Sequence, residues 1–344
     1  MVLPIPHPIH SARTAADELA VAALEKAAAV VDGADRFLVT AHLRPDGDAL
    51  GSVFGLVLGL RALGKDARGV IAGGQPEHLA SLLPGGVVET PEALARGCSE
   101  PTDVFIVLDT NEPERVGELQ PLFYAAGARR ICLDHHRTHV HGRHDHEVIV
   151  TEAPATGNLV LAFLDVLGVE LTLDMAKALW IAIATDTGWF RFANTGPWAL
   201  QDAARLSGLG VDVEAFYDRI YHNLSPARAR LVGHAMREVH SECDGDFIWS
   251  YLSLADRSGT ELVDLDGVVD HLKTIDGARY IALIVEVEAN SFKISLRARG
   301  DAEVESIARS FNGGGHAKAA GCRFAGRLEE FVESLKCSVE ERRG

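Results

Sequence analysis

The chain has 344 residues, 47% of them hydrophobic and 24% charged, a profile that describes an ordinary soluble protein long enough for two domains with separate cores. Its formal net charge of −16 argues against a protein that coats long nucleic acid by broad phosphate neutralisation. Short anionic substrates stay open, because bound metals and a local basic patch reverse the field inside a cleft.

From the N-terminus, residues up to about His10 are rich in proline and expected to be loose, with no long apolar core of a signal peptide. Thr14 to Val31 carries Leu19, Ala23, Leu24 and Ala28 at helical spacing and predicts an amphipathic helix. Phe37-Leu38-Val39 predicts a strand that runs into His42, followed by a tight Pro45-Asp46-Gly47-Asp48 turn. Gly51 to Leu63 predicts a helix with Gly64 as its C-cap, and the small residues Gly51, Ser52 and Gly55 would let it lie close to a sheet. Arg68 to Ala72 reads as a strand, and Leu79 to Leu83 as a helical turn. Val104 to Leu108 reads as a buried strand that delivers Asp109-Thr110-Asn111, and Arg130 to Leu133 as another that delivers Asp134-His135-His136. Glu147 to Thr151 is a further strand, and Thr156 opens a helix through Leu167. The alternation of strands and helices predicts a mostly parallel sheet flanked by helices, with right-handed crossovers.

The apolar helical run Ala178 to Ala184 ends in Thr185-Asp186-Thr187-Gly188. Helical spacing then continues through Trp198 to Leu209, Val213 to Tyr221 and a helix opening at Ser225-Pro226. Composition turns strand-rich after Asp244, with strands expected at Phe247 to Leu252, Arg279 to Val287 and Phe292 to Arg299. The expected organisation is a first α/β domain over residues 1–200, a helical linker over 201–234, mobile enough to open and close a cleft, and a smaller C-terminal α/β domain over 235–344.

In an open α/β sheet, ligands bind outside the carboxyl ends of the strands. His42, Asp46, Asp48, Asp109, Asp134, His135, His136 and Asp186 therefore point to one crevice. An imidazole with carboxylates suits a borderline-to-hard divalent ion such as Mn²⁺. Each Asp alone reads equally as a helix cap or turn residue, and His42 as a loop histidine; four deliveries in order make the site reading the stronger.

This ordered set resembles the motifs of the DHH phosphoesterases, and Gly313-Gly314-Gly315-His316 through Gly321 resembles the signature of the DHH-associated C-terminal domain. The resemblance runs from about Phe37 to about Phe331 and implies two divalent metal ions, Mn²⁺ foremost, with Mg²⁺ or Co²⁺ as substitutes. It implies His42, Asp46 and Asp109 on one metal, and Asp48, the shared Asp109, His135 and Asp186 on the other. Such a pair lowers the pKa of a water for in-line attack on phosphorus, so no protein nucleophile is needed. Asp134 would orient a histidine, and His136 would neutralise the phosphate or protonate the leaving oxygen.

The resemblance further implies a branch similar to the nanoRNase and 3′-phosphoadenosine 5′-phosphate phosphatases, acting on short oligonucleotides or small phosphorylated nucleotides. The rivals are a manganese-dependent inorganic pyrophosphatase or short-chain polyphosphatase, a phosphodiesterase for linear cyclic-dinucleotide products, and a catalytically dead nucleotide sensor. The pyrophosphatases carry a Ser-Arg-Lys motif where this chain has Gly-Gly-Gly-His, and a dead sensor loses a ligand where this chain keeps every matched one.

Substrate contacts are expected on the strand Lys293 to Arg299, whose alternation puts Lys293, Ser295, Arg297 and Arg299 on one face. That face is either solvated or a phosphate grip. The resemblance favours Arg297, then His316, with Gly314 and Gly315 in a bare-backbone anion nest ahead of a helix N-terminus. Trp189, Phe190 and Phe192 read as domain core or as a base-stacking shelf, and Arg191 as a phosphate contact or a surface charge. His139, His141, His144 and His146 read as a solvated polar loop, with an adventitious metal surface as the alternative. The five cysteines, Cys98, Cys132, Cys243, Cys322 and Cys337, are widely separated and without zinc spacing, a reduced pattern that with the absence of a membrane-span window predicts a cytoplasmic location. No long-duplex partner is expected, and a homodimer is compatible with the sequence.

Overall fold

The computed structural model describes residues 15–76, 79, 81–97, 101–125, 127–136, 142–222, 224–257, 265 and 267–343. Packing divides the chain into two units, residues 1–222 and 223–344.

In the first unit, helix α1 (Ala15–Asp32) leads to β1 (Arg36–Ala41), α2 (Gly47–Ala62), β2 (Asp66–Val70), β3 (Val88–Glu89), α3 (Pro91–Gly97) and β4 (Val104–Leu108). A 3₁₀ segment (Pro113–Leu119) and α4 (Gln120–Phe123) follow, then β5 (Arg129–Asp134), β6 (His146–Ile149), α5 (Thr156–Val166) and α6 (Leu173–Asp186). All six strands are parallel, in the order β3-β2-β1-β4-β5-β6. The order reverses between β1 and β4, and this is the topological switch point at which open α/β sheets bind ligands.

Strand residues alternate between two apolar faces, as a sheet covered on both sides requires. Val39, Ala41, Ile106, Leu108, Ile131 and Leu133 face the larger core with α1, α2, α5 and α6. Leu38, Phe105 and Val107 face a smaller one with Val116, Leu119 and Phe123. The small residues of α2 serve a helix contact, a correction to the expected approach to a sheet. A Cβ at Gly51 would meet the Ala178 carbonyl oxygen at 2.3 Å, and one at Gly55 would meet Leu179 Cδ2 at 2.7 Å, so α2 packs closely against α6. Helix α2 also begins earlier than periodicity alone indicates, because Asp46 is its N-cap and accepts from Ala49 N.

Helices α7 (Pro197–Gly208) and α8 (Val213–Tyr221) were expected within or beside a linker. Ala199, Leu206 and Phe216 instead belong to the first unit's core. Helix α9 (Pro226–Arg237), capped by Ser225, contributes Leu231 and Ala235 to a core of the second unit. The helices between the two sheets are thus divided between the units.

The second unit continues with β7 (Val239–Glu242), β8 (Phe247–Leu252), α10 (Val268–Leu272), β9 (Tyr280–Glu288) and β10 (Ser291–Ala298). It ends with α11 (Glu305–Ser310), β11 (Gly314–His316), β12 (Ala319–Ala325) and α12 (Leu328–Glu340). The sheet order is β11-β12-β10-β9-β8-β7, with only β8 and β9 parallel.

The glycine-rich stretch departs from its expected form. It does not precede a helix; it follows α11 and pairs as β11 with β12, Gly315 opposite Ala320. A Cβ at Gly315, whose φ is +146°, would meet the Ala319 carbonyl oxygen at 2.5 Å, and one at Gly313 would meet that of Gly321 at 2.2 Å. These two glycines are required by close strand pairing, whereas a Cβ at Gly314 would meet nothing within 4 Å.

Candidate metal centre

The site lies at the carboxyl edge of the parallel sheet. His42 directly follows β1, Asp109 follows β4, and Asp134, His135 and His136 close β5, so three neighbouring strands deliver their side chains across the switch point. Asp46 and Asp48 sit at the start of α2, and Asp186 ends α6. Gly47 fits between the two carboxylates because a Cβ there would meet Thr185 Oγ1 at 2.2 Å.

Two groups of donors form around one carboxylate. Asp109 Oδ2 lies 3.3 Å from His42 Nε2, which is 4.0 Å from Asp46 Oδ1. Asp109 Oδ1 lies 3.6 Å from His135 Nε2, itself 3.7 Å from Asp48 Oδ2 and 3.8 Å from Asp186 Oδ2. Asp109 has a φ of +59°, a left-handed conformation that Asp adopts more readily than most residues and that clusters at functional sites. That backbone turn aims its two oxygens at separate partners.

The donor set fits divalent cations. His42 Nδ1 lies 3.1 Å from the Leu43 carbonyl and His135 Nδ1 3.2 Å from that of Ala153. A carbonyl only accepts, so each Nδ1 carries a proton and each Nε2 can turn a lone pair inward, the arrangement of ligating histidines. Burial, followed by the charges of Asp109, Asp186 and Asp46, pushes the Asp48 carboxyl well up. Burial, with Asp109 and Asp46 outweighing the opposing pull of His135, raises Asp186 to about 6. Burial lowers the His42 imidazole, but Asp109, the Leu43 carbonyl and Asp46 outweigh it and the net shift is upward. Four converging carboxylates thus draw positive charge into the site, and among the described residues they form with His42, His135 and His136 three groups able to hold a metal ion: His42 with Asp46 and Asp109, His135 with Asp48 and Asp186, and His135 and His136 with Asp109.

Asp134 is fully buried and engages His136 and Asn111. Its Oδ1 lies 2.8 Å from His136 Nδ1 and accepts from His136 N, while Oδ2 accepts from Asn111 Nδ2. Burial raises Asp134, but the hydrogen bonds and charge of His136, with Asn111, outweigh it, so its carboxyl titrates below the usual range. The hydrogen bond that His136 Nδ1 donates to Asp134 is the main reason that His136 is raised to about 9, against the effect of burial. His136 is 42% exposed at its side chain, and it is Nδ1, not Nε2, that Asp134 engages. Its Nδ1 also lies 3.7 Å from Asp109 Oδ1.

Several supporting residues carried no signal in the sequence. Thr156 donates from its backbone to Asp48 Oδ2 and from its hydroxyl to Asp109 Oδ1. Gly157 N and Ser52 Oγ donate to Asp48 Oδ1, and Asn194 Nδ2 donates to Asp186 Oδ2. Asn111 and Thr156 stood beside recognised motifs, but only three-dimensional contact distinguishes them from ordinary loop and cap residues.

Residues 187–192 divide between packed and exposed side chains. Gly188, Trp189 and Phe190 have successive φ values of +57°, +58° and +61°. Trp189 packs edge-on against Tyr217 and Tyr221, and Phe190 lies against Trp180, so both pack half-buried against the first unit's core. Phe192 is 53% exposed and keeps the stacking reading. Arg191 is exposed, with Nε donating to the Gly188 carbonyl.

Of the four further histidines, His139 and His141 lie outside the described residues. His146 is in β6 and half-buried. His144 corrects the expectation of a solvated loop: its side chain is fully buried, with Nδ1 3.5 Å from Glu147 Oε1, and its ring packs edge-on against Phe123.

In the second unit, β10 alternates as expected, with Phe292, Ile294, Leu296 and Ala298 buried. Arg297 makes a two-pronged pair with Asp270 of α10, Nε to Oδ1 at 2.8 Å and the terminal nitrogen to Oδ2 at 3.3 Å. Gly314, Gly315 and His316 form β11 beside it across β12.

Residues 36–183 match the DHH family, N-terminal domain, and residues 244–341 match the DHHA1 domain. The bifunctional oligoribonuclease and PAP phosphatase NrnA of Thermus thermophilus is 33% identical over 88% of this chain and 89% of its own length. The protein of the same name from Bacillus subtilis is 27% identical over 83% of this chain and 88% of its own length. The crystal structure of an exopolyphosphatase-related protein from Bacteroides fragilis shares the fold, with a TM-score of 0.83 over 93% of this chain and 96% of that one at 24% identity. A parallel sheet that gathers His42, Asp46, Asp48, Asp109, His135 and Asp186 at its switch point, continuous with a second matched domain, accords with these likenesses: the chain belongs to the DHH family of metal-dependent phosphoesterases, in the form that carries a DHHA1 domain.

Proposed function

We propose that this enzyme hydrolyses short oligoribonucleotides and 3′-phosphoadenosine 5′-phosphate to mononucleotides with two divalent ions, Mn²⁺ foremost. The observation that carries the reading is Asp109, whose two oxygens face separate donor groups, Oδ2 toward His42 and Oδ1 toward His135. His42, Asp46 and Asp109 would hold one ion; Asp48, Asp109, His135 and Asp186 would hold the other. When bound, such a pair neutralises phosphate charge and supplies an acidified water as nucleophile.

The chain's own residues then bind, orient and move protons. Asp134 fixes the His136 ring through Nδ1, so that Nε2 can donate to a phosphate oxygen or to the departing oxygen. Thr156, Gly157 and Ser52 hold the Asp48 and Asp109 carboxylates in place, work expected to preserve metal affinity. Arg297, with its planar guanidinium, suits the substrate's far phosphate in competition with Asp270, and Phe192 offers a stacking surface for a base. The NrnA relatives, oligoribonuclease and PAP phosphatase by name, support the choice of substrates.

The described cysteines Cys132, Cys243, Cys322 and Cys337 are free thiols, which supports a cytoplasmic setting. Among the described residues no helix is long and apolar enough to cross a membrane. A homodimer belongs to the same reading, with sedimentation of the purified chain as its check.

The test is turnover with Mn²⁺ on dinucleotides, 3′-phosphoadenosine 5′-phosphate, pyrophosphate and tripolyphosphate. Hydrolysis of the first two, and little of the last two, is expected. Preference for pyrophosphate or tripolyphosphate would overturn the assignment.

A further inference from the structure

Helix α7 buries Ala199, Ala203 and Leu206, and the carboxylate of Asp202 is buried among them at 1% exposure. Asp202 Oδ2 accepts from the side-chain amide of Asn158, itself fully buried, in the first turn of α5. Asn158 Oδ1 has no hydrogen-bond partner among the described residues. Replacing both members of such a buried polar pair by apolar groups of the same shape is close to neutral or stabilising. The surroundings are apolar, with Leu159, Leu161 and Leu164 of α5 in the same core as Ala199 and Leu206. Helix packing by itself therefore gives no reason for an amide and a carboxylate at this contact.

Arg205, one turn further along α7, grips the other end of α5, its two terminal nitrogens each 2.6 Å from an oxygen of Asp165. Asn158 and Asp165 are seven residues apart, so they share one face of α5 and stand about 10 Å apart along its axis. Asp202 and Arg205, three apart, share one face of α7. The segment entering α7 adds a third hold. Asn194 Nδ2 donates to the carbonyl oxygen of Pro154, two residues before α5, at 2.8 Å, and to Asp186 Oδ2 at 3.2 Å.

The end of α5 that Asn158 and Pro154 fix is the end that carries the donors to Asp48 and Asp109, from Thr156 and Gly157. A Cβ at Gly157 would meet Ala182 Cβ of α6 at 2.5 Å, so this turn has no slack toward α6. Donors that orient a ligating carboxylate are effective only when their own position is locked by packing and further hydrogen bonds. We propose that Asp202 is a positioning residue of the metal centre: through Asn158 it locks the first turn of α5, and with it the carboxylates of Asp48 and Asp109, from a helix that carries none of the assigned ligands. This inference rests on the two-metal reading and adds α7 to what that reading requires.

The test uses the full chain. Asn158→Leu combined with Asp202→Leu keeps the branching of both side chains and exchanges the polar pair for an apolar contact. Asp202→Asn keeps an oxygen that can accept from Asn158. Asp202→Ala opens space and serves as the second disruptive variant if far-UV circular dichroism shows the double variant unfolded. Mn²⁺ binding to metal-free protein is measured by titration calorimetry, melting temperature in EDTA, and turnover of 3′-phosphoadenosine 5′-phosphate across a Mn²⁺ series. The Kd for Mn²⁺ should rise roughly tenfold in the disruptive variants and stay within about twofold of the parent in Asp202→Asn. The melting temperature of the double variant should equal or exceed that of the parent, and its turnover should recover as Mn²⁺ is raised. A packing role alone would move the melting temperature and leave Mn²⁺ affinity at the parental value, a result that would overturn the inference while the two-metal reading stood. A loss in Asp202→Asn as large as in Asp202→Ala would also overturn it, because the effect would then belong to the charge and not to the hydrogen bond from Asn158. A parent that bound no Mn²⁺ would refute the two-metal reading and this inference with it.

Discussion

The hydroxyl of Thr156 donates to Asp109 Oδ1 at 3.0 Å, and the same residue's backbone N–H donates to Asp48 Oδ2 at 2.7 Å. One residue at the first turn of α5 therefore holds carboxylates delivered by β4 and by α2. Replacing Thr156 with Val keeps the shape and the backbone donor but removes the hydroxyl. Metal affinity should fall roughly 10–100-fold, with an unaltered far-UV spectrum. Titration calorimetry with Mn²⁺ measures this directly, and parental affinity would reduce Thr156 to a helix-start residue.

Asp109→Ala should abolish turnover, because the carboxylate facing both donor groups is gone and two cations lack the charge that holds them close together. The sheet should survive, since Asp109 lies beyond the end of β4. Metal analysis after dialysis should find less bound ion than in the parent. Substantial residual activity in Mn²⁺ would refute the shared-carboxylate assignment.

His136→Ala separates substrate chemistry from metal binding. With Nδ1 engaged by Asp134 at 2.8 Å, the ring is placed to serve the phosphate, so occupancy should stay near the parental level while kcat falls by roughly 10²–10⁴. Loss of one metal per chain would instead make His136 a ligand.

Arg297→Ala should raise KM for short nucleotides roughly tenfold, with a smaller effect on kcat if the contact is equal in ground and transition states. Asp270→Asn supplies the complementary arm. It weakens the pair that holds the guanidinium at 2.8 Å and should lower KM. Unchanged kinetics in both variants would leave this strand face as solvated surface.

Acid stability should report on His144. Burial lowers its imidazole below the ordinary 6.5, with Arg130 acting in the same direction and Glu147 and Asp145 opposing. The unfolded chain then takes up a proton that the folded chain refuses, so stability is lost as pH falls below about 6.5 and levels off below the folded value. His144→Leu should remove that part of the loss. Melting temperatures from pH 8 to pH 5 provide the check, and parallel curves for parent and variant would contradict it.

Much of the site was legible because its physics is local. A buried strand ends where its apolar run ends, and Val104 to Leu108 or Ile131 to Leu133 could hardly place the residues that follow anywhere but at the sheet's carboxyl edge. The order of His42, Asp109 and Asp134-His135-His136 along the chain was therefore already an order of neighbours in space. What the one-dimensional pattern could not hold was contact across the fold. The role of Gly51 depends on α6, more than a hundred residues later, and the roles of Thr156 and Asn194 depend on carboxylates brought to them by other elements.

The sequence by itself determined the strand-end donors, the alternation of β10 and the division into two α/β halves, since each follows from short-range periodicity and turn chemistry. The tertiary structure alone decided that Gly313 and Gly315 serve strand pairing, that His144 is buried while Phe192 is exposed, and that Arg297 is already engaged by Asp270. It also set Asn158 against Asp202. These are questions of which surfaces meet, and burial and register are properties of the assembled sheet: a β-hairpin and an anion nest can be written with the same glycines, and only the partner strand β12 distinguishes them.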